Sequence, residues 1–433
     1  MPESAASPVQ LRRALGKWDL TALGVNQVIG GAVFAVPATL ALALGSWSWL
    51  AVGLVGLLAM AVALNFAEAG SRFDGTGGPY LYTRAAFGRF VSFEVGWMVW
   101  IVRVTSWAAV VNVLVNAFGR YWPSVNAGGL RTALITFVVL SIMALNIRGI
   151  RQSSAVVNAL TIGKLTPLVL FILIGLPYVS FGALRLDALP TWDQASSTAL
   201  ILIFAFGGYE VIPVPAGEAR DPRKAVPFAM ITTILVVAIV MTMVQVVALG
   251  TLPGLASSKT PLADAAMLFM GAWGALLMTV GATVSVAGNN VGAALSGSRS
   301  LFALADQGDV PKFLGHINPR FRTPDVAIVV TCLLTLALAL SGTFAKLAAI
   351  SAVARLLVYA GTCASVLALR RQSRAPFTIP FGPVVPVVAL LVCVAILANA
   401  TAEQLQAGGV ALAIGAVLYA IAFIIQRRAG QTP

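Results

Sequence analysis

VIGGAVFAVP (residues 28–37) and AFGGYEVIPVP (residues 205–215) each set a glycine pair and a proline inside a long apolar run. Glycine pairs weaken a helix, and proline removes a backbone donor. Where the solvent is lipid, backbone freed in this way is tolerated only if it faces protein or a water-filled cavity. Close helix packing on small residues is the other reading of the same glycines. Their positions bear on the choice, because the breaks fall five apolar runs apart, in helices of opposite direction. That is the trace of an inverted repeat with a binding site at the bilayer midplane. Gly30, Gly31, Gly207 and Gly208 are therefore candidate site residues.

Outward from these breaks, the 433-residue chain reads as one that folds in lipid. It is 59% hydrophobic and 10% charged, with a mean hydropathy of +0.92, whereas soluble domains carry roughly 25% charged residues. The net charge of +13 does not point to nucleic acid, because the basic residues sit in short gaps between apolar runs rather than on one face or tail. About twelve runs are long enough to cross a ~30 Å hydrocarbon core. They cover 18–42, 46–70, 90–119, 131–147, 153–177, 195–217, 226–250, 267–298, 324–341, 344–369, 384–401 and 408–426.

With the amino terminus in the cytoplasm and strict alternation, twenty of the 28 Lys and Arg residues fall on the cytoplasmic side. Only Arg120, Arg131, Arg185, Lys259 and Lys346 fall on the other. This bias predicts a cell-membrane protein with both termini inside. The expected organisation is a tail over 1–17, a first repeat over 18–177, an inverted second repeat over 195–370, two further helices over 384–426, and a tail over 427–433. The first seventeen residues are polar, and the apolar run after them is too long for a cleavable signal. Cys332, Cys363 and Cys393 lie singly in apolar runs and read as small core or lipid-facing residues. His316, the sole histidine, sits in a polar loop and reads as solvated.

The three remaining cations lie deep in the runs. Gly30, Arg103, Lys164, Gly207 and Arg355 each fall about eleven to thirteen residues in, or ~17–20 Å, close to a midplane ~15 Å deep. A Lys or Arg there costs roughly 2.5–3.5 kcal/mol. Lys164, in TIGKLTPLVLF, is either one half of a helix-to-helix ion pair or an ammonium that fills a cation site or titrates during transport. Glu210, Glu94 and Arg103 have either transport roles or helix-pairing roles. Glu94 and Arg103 face opposite ways on one helix and cannot pair with each other. Arg355 meets either a substrate carboxylate or a structural partner. Glu68 and Glu218, near the ends of runs, are expected at the interface.

No HExxH, P-loop or GxSxG is present, and a single loop histidine leaves no Ser/His/Asp set. An enzyme would cluster its polar residues at one membrane face, whereas these cluster at mid-depth. No enzyme activity, metal or cofactor is expected.

Four stretches, in order, resemble the amino acid–polyamine–organocation superfamily of permeases. IGGAVFAVP is similar to that family's first-helix break. DGTGGPYLYTRAAFGRFVSFEVGWMVW is similar to its segment between the second and third helices. FAFGGYEVIPVPAGEARDPRKAVP is similar to its sixth helix and following loop, and SRSLFALADQGDVPKFLGHINPRFRTP to its loop after the eighth. The resemblance covers nearly the whole chain. It implies an all-helical protein of about twelve helices, built as a five-plus-five inverted repeat with two added helices. It also implies substrate bound between helices one and six. By position, the amides of Gly31 and Ala32 would receive a substrate carboxylate. The carbonyls of Val28, Phe204 and Gly207 would receive an α-ammonium, with Phe204 and Phe206 shielding the site. Lys164 matches a fifth-helix lysine that stands for a sodium ion in sodium-independent members, bridging the first break near Val28 to the eighth helix near Thr283 or Ser285. The chain departs from the motif at Ala32, where the family has glycine, and at Gly31, where it often has serine or threonine. A hydroxyl ligand for the carboxylate is thereby missing.

The expectation is a secondary transporter of amino acids, with neutral ones expected and no dependence on sodium. It would act as a uniporter, proton symporter or exchanger. The alternatives are a permease of amines or polyamines, and a membrane sensor that binds without translocating. The partners expected are the small-molecule substrate, the lipid bilayer and protons, with no nucleic acid.

Overall fold

In a computed structural model, residues 10–119, 122–341 and 344–428 are described. Arg120, most of the amino-terminal tail and the last residues of the carboxy-terminal tail lie outside them, as do the side chains of Lys346 and Arg428.

The first run is two helices. α1 (Lys17–Val28) stops, three residues pass without helix, and α2 (Ala32–Leu44) resumes. α3 (Ser48–Gly70), α4 (Pro79–Phe87), α5 (Arg89–Phe118), α6 (Gly128–Arg148) and α7 (Ile150–Gly175) follow. α4 was not expected from the apolar runs; it starts where Pro79 follows Gly78, a favoured helix start. α8 (Trp192–Phe206) begins with a capping box, in which the Gln194 amide donates to Thr191 Oγ1 at 3.3 Å and the Thr191 amide donates to Gln194 Oε1 at 2.9 Å.

The run 195–217 is not one helix. α8 ends at Phe206, and the chain continues through Gly207 and Gly208 into 3-10 turns at Tyr209–Val211 and Ala216–Glu218. Pro213 and Pro215 lack the amides that would rebuild an α-helix there. α9 (Pro222–Thr251), α10 (Pro261–Asp306), α11 (Asp325–Leu340), α12 (Phe344–Arg370), α13 (Val384–Ala398) and α14 (Ala402–Arg428) complete the chain, and α10 bends at Gly271. Among the described residues there is no strand, only one parallel bridge between Leu15 and Ala219.

Eight helical stretches of the described residues are long and apolar enough to cross a membrane, one of them spanning α2 and α3 together. α11 and α13 are apolar but shorter. α3 packs on α9, α10 packs on α5 and α7, and α12 packs on α5. Leu57, Phe137 and Ile425 project outward from the bundle, as apolar surface does when the solvent is lipid.

The end of the bundle that carries the amino terminus is closed by buried ion pairs. Ala14 and Leu15 amides donate to the Glu218 carbonyl at 2.8 and 2.9 Å, and the Arg220 amide donates to the Leu15 carbonyl at 2.9 Å. The Glu218 carboxylate takes Arg299 Nε and Nη2 at 2.8 and 3.1 Å. Glu68 takes Arg370 Nε and Nη2 at 2.7 and 2.5 Å, with the Ile379 amide at 2.8 Å. Glu68 and Glu218, at this end of the bundle, are fully buried in protein. The arginine fork supplies two parallel donors to each, which makes burial of the carboxylate tolerable. Asp309 adds a third cluster, accepting from Tyr80 Oη at 2.6 Å, Arg84 Nη1 at 2.8 Å and Arg89 Nε at 2.6 Å. His316 is half exposed, with Nδ1 2.7 Å from Asp325 Oδ1. The three cysteines are buried, free thiols.

Candidate functional site

The two chain breaks meet. Gly208 has φ +129, and a Cβ there would lie 2.6 Å from the Gln27 carbonyl oxygen. Only glycine fits both that dihedral and that approach. The Gly208 amide donates to Glu210 Oε2 at 2.8 Å, so the turn after α8 is tied by its own glutamate.

A helix that stops leaves carbonyls without intrahelical partners. At the end of α1 these are taken by Lys164 from α7. Its Nζ donates to the carbonyls of Asn26 at 3.0 Å, Ile29 at 2.7 Å and Ser285 at 3.0 Å, with Asn26 Oδ1 at 3.3 Å. Three donors meet three backbone acceptors, the capacity of an ammonium. Ser285 Oγ donates to the Ile29 and Gly30 carbonyls, each at 3.0 Å. Lys164 has no carboxylate partner among these contacts, so it is not half of an ion pair. Thr283 is not in this cage; its hydroxyl donates to the Thr279 carbonyl at 3.1 Å.

At the second break the geometry is ionic. Glu210 Oε1 accepts from Arg103 Nη2 of α5 at 2.5 Å, and Oε2 accepts from Tyr359 Oη of α12 at 2.7 Å. Arg355 Nε lies 3.1 Å from Glu210 Oε1, close enough for an ion pair but not aligned as a hydrogen bond. The Arg355 guanidinium stands 5.5 Å from the centre of the Phe204 ring and lies against Gly207, where a Cβ would collide with Nη1. Gly207 has an ordinary φ of −70°, so what it provides is room for an arginine.

A cavity of about 590 Å³ lies against both breaks. Val28, Gly30, Gly31 and Ala32 line one wall, Phe204, Gly207, Arg103 and Arg355 another, and Thr283, Val286 and Asn289 of α10 a third. It extends to Asn116, Lys259 and Thr260 at the end of the bundle opposite the buried ion pairs. The amino-terminal end of α2, at Gly31 and Ala32, and the carboxy-terminal end of α8, at Phe204 and Ala205, border this space, and such ends leave amides and carbonyls without intrahelical partners.

Residues 15–424 match a family described as amino acid permease. The chain belongs to that family. It is 28% identical to an uncharacterized transporter of Mycobacterium tuberculosis, covering 98% of this chain and 94% of that one. It is 27% identical to the serine/threonine exchanger SteT of Bacillus subtilis strain 168, covering 94% and 95% of the two chains. It is 26% identical to the branched-chain amino acid permease BcaP of the same strain, covering 94% and 92%. The family is one of transporters, and the permease is a multi-pass membrane protein.

The permease brings most of the expected site residues to one place, with exceptions that geometry explains. Val28, Gly30, Gly31, Ala32, Phe204, Gly207, Arg103 and Arg355 line the cavity. Lys164, Gly208 and Glu210 stand one layer behind it, holding the breaks. Phe206 does not shield the cavity. It is fully buried, and packs against Gly56 in a narrow cleft with Tyr209 and Tyr359. Two residues along a helix are about 200° apart, so Phe204 and Phe206 cannot face the same side. The Val28 and Phe204 carbonyls already accept from the Gly30 and Gly207 amides, at 2.9 and 3.0 Å, leaving each one lone pair.

Sequence reasoning passed over Gln27 and Asn289. They line the permease cavity and exchange two bonds, Gln27 Nε2 to the Asn289 carbonyl at 3.0 Å and Asn289 Nδ2 to the Gln27 carbonyl at 3.2 Å. It also passed over Ser106 and Ser351, whose hydroxyls meet at 2.7 Å across α5 and α12. An amide or hydroxyl in an otherwise apolar run was the available signal. Which face each took could not be read from a run that is apolar all round.

Proposed function

We propose that the permease is a secondary transporter of amino acids, independent of sodium, that binds substrate between the two breaks. The observation that carries this reading is the cavity bounded by the amide end of α2 and the carbonyl end of α8. The amides of Gly31 and Ala32 receive the substrate α-carboxylate, favoured by the positive end of the half-helix. The carbonyls of Val28, Phe204 and Gly207 receive the α-ammonium. A volume of about 590 Å³ falls in the usual range for small-molecule sites, ~300–1,000 Å³. The permeases and exchangers it resembles, named for serine and threonine or for branched-chain amino acids, support the same substrate class.

The chain crosses the bilayer twelve times in this reading, as two inverted repeats of five with α13 and α14 added. The packing supports it, since exchanging the halves turns the α7–α10 contact into the α12–α5 contact and leaves α3–α9 and α5–α10 unchanged. The charge bias supports cytoplasmic termini, which places the cavity mouth at Lys259 outside and the buried ion pairs inside. Lys164 takes the place of a cation at the first break. Opening of that break draws carbonyls away from Nζ and exposes it to water, so that Lys164 exchanges a proton in each cycle.

Counterflow in proteoliposomes against a panel of amino acids and amines tests the proposal. Amino acid exchange without sodium is expected. Gly31→Leu, whose Cβ would already stand 3.2 Å from Val286 Cγ2, should abolish it with membrane expression intact. Unchanged transport by Gly31→Leu would remove the carboxylate site from this position.

A further inference from the structure

The charged residues that line the cavity are Arg103, Arg355 and Lys259, and none of its lining residues is acidic. Glu210 is the nearest carboxylate, and it is set back from the cavity behind the second break. One of its oxygens is held by Tyr359 and the Gly208 amide, the other by Arg103. Two guanidiniums thus share one carboxylate, and the cluster keeps a net positive charge. The excess is shared by Arg103 and Arg355, both of which line the cavity. Among the described residues neither Arg103 Nε nor Arg355 Nε has an aligned hydrogen-bond acceptor, although the two side chains are only 3% and 10% exposed. Phe204 and Gly207 hold the Arg355 guanidinium at the cavity wall. Lys164 adds a further positive charge behind the first break, surrounded by carbonyls and an amide.

Two buried guanidiniums on one carboxylate leave donors and charge for a second carboxylate, which a guanidinium takes with two parallel hydrogen bonds. A neutral amino acid spends its single carboxylate and its ammonium at the two breaks and brings nothing to Arg355. A cationic one meets three like charges on the cavity wall. We infer that the substrate is an acidic amino acid, of aspartate or glutamate type, whose side-chain carboxylate binds the Arg355 guanidinium. Arg103 is the positioning residue: it shares Glu210 with Arg355, so that the one carboxylate does not neutralise both guanidiniums. Lys259, exposed at the mouth, draws the anion in. This rests on the transporter reading given above, and it replaces the expectation of a neutral substrate.

The test is competition in proteoliposomes between isosteres. Aspartate and glutamate should be taken up or exchanged at least tenfold better than asparagine and glutamine, with arginine inactive. Arg355→Gln should reverse the order by losing glutamate and keeping or gaining glutamine, while Arg355→Lys keeps part of the preference. The wild-type comparison stands without any variant, so misfolding of Arg355→Gln does not shield the inference. Equal or better handling of neutral amino acids by the unmodified protein overturns the acidic class and leaves amino acid transport standing. Movement of no amino acid at all overturns both.

Discussion

Lys164 and Arg355 hold corresponding places at the two chain breaks. Lys164 comes from α7, the last helix of the proposed first repeat, and caps the carbonyls where α1 ends, with Ile29 at 2.7 Å. Arg355 comes from α12, the last helix of the proposed second, and lies against Gly207 where α8 ends. The two differ in what they spend. The ammonium is saturated by the backbone, whereas the guanidinium shares the Glu210 carboxylate with Arg103 at the cavity wall. A point charge with rotatable donors suits a carbonyl cage, and a planar fork suits a carboxylate.

The saturated cation should govern coupling. Lys164→Met leaves the carbonyls of Asn26, Ile29 and Ser285 without their donor and removes the titrating group. Accumulation driven by a proton gradient should be lost, while substrate exchange survives in part. Transport by the unmodified protein should be the same in sodium and in choline medium. Strict sodium dependence, or proton-driven accumulation unchanged in Lys164→Met, would return the lysine to a purely structural role.

Gly207 and Gly208 should fail in different ways when each is replaced by alanine. At Gly208 the positive φ and the contact with Gln27 make the change a folding defect, of about 1–3 kcal/mol for the strained backbone alone. At Gly207 the backbone is ordinary, and the added methyl displaces the Arg355 guanidinium. Thermal melting in detergent should therefore drop clearly for Gly208→Ala and little for Gly207→Ala, whose substrate affinity should fall instead. Equal melting shifts for the two would contradict this division.

Glu210→Gln takes the carboxylate from between Arg103 and Arg355. Breaking a buried pair by removing one partner costs about 3–5 kcal/mol. A double variant that also carries Arg103→Gln should recover part of the loss, because one of the two guanidiniums left uncompensated is then gone. A double-variant cycle read by chemical denaturation checks this, and strict additivity of the two changes would mean the pair is not coupled.

Phe204 and Phe206 are separable. Phe206→Ala should lower stability by about 3–5 kcal/mol, as expected for a buried phenylalanine, with substrate preference unaltered. Phe204→Ala frees the Arg355 guanidinium from its aromatic support and should change selectivity at nearly normal protein yield. A selectivity change in the Phe206 variant rather than the Phe204 variant would place the wrong ring at the cavity.

Helix class, the two breaks and the mid-depth cations were written in the sequence, because lipid permits few ways to satisfy a backbone. An apolar run must be helical, and a glycine pair with prolines inside one must face protein or water. The loss of helix after Gly208 was legible in the same way, from Pro213 and Pro215. The faces were not. An apolar run that packs on protein and lipid alike carries little periodicity, so nothing distinguished Phe204 towards the cavity from Phe206 away from it. Nor could the sequence say that Glu68 and Glu218 are buried with Arg370 and Arg299, partners 302 and 81 residues away. Length along a helix gave Lys164 and Arg355 the same depth. Only the packing of α7 against α1, and the reach of Arg355 from α12 to Phe204 and Gly207, decided that one would meet carbonyls and the other a cavity wall.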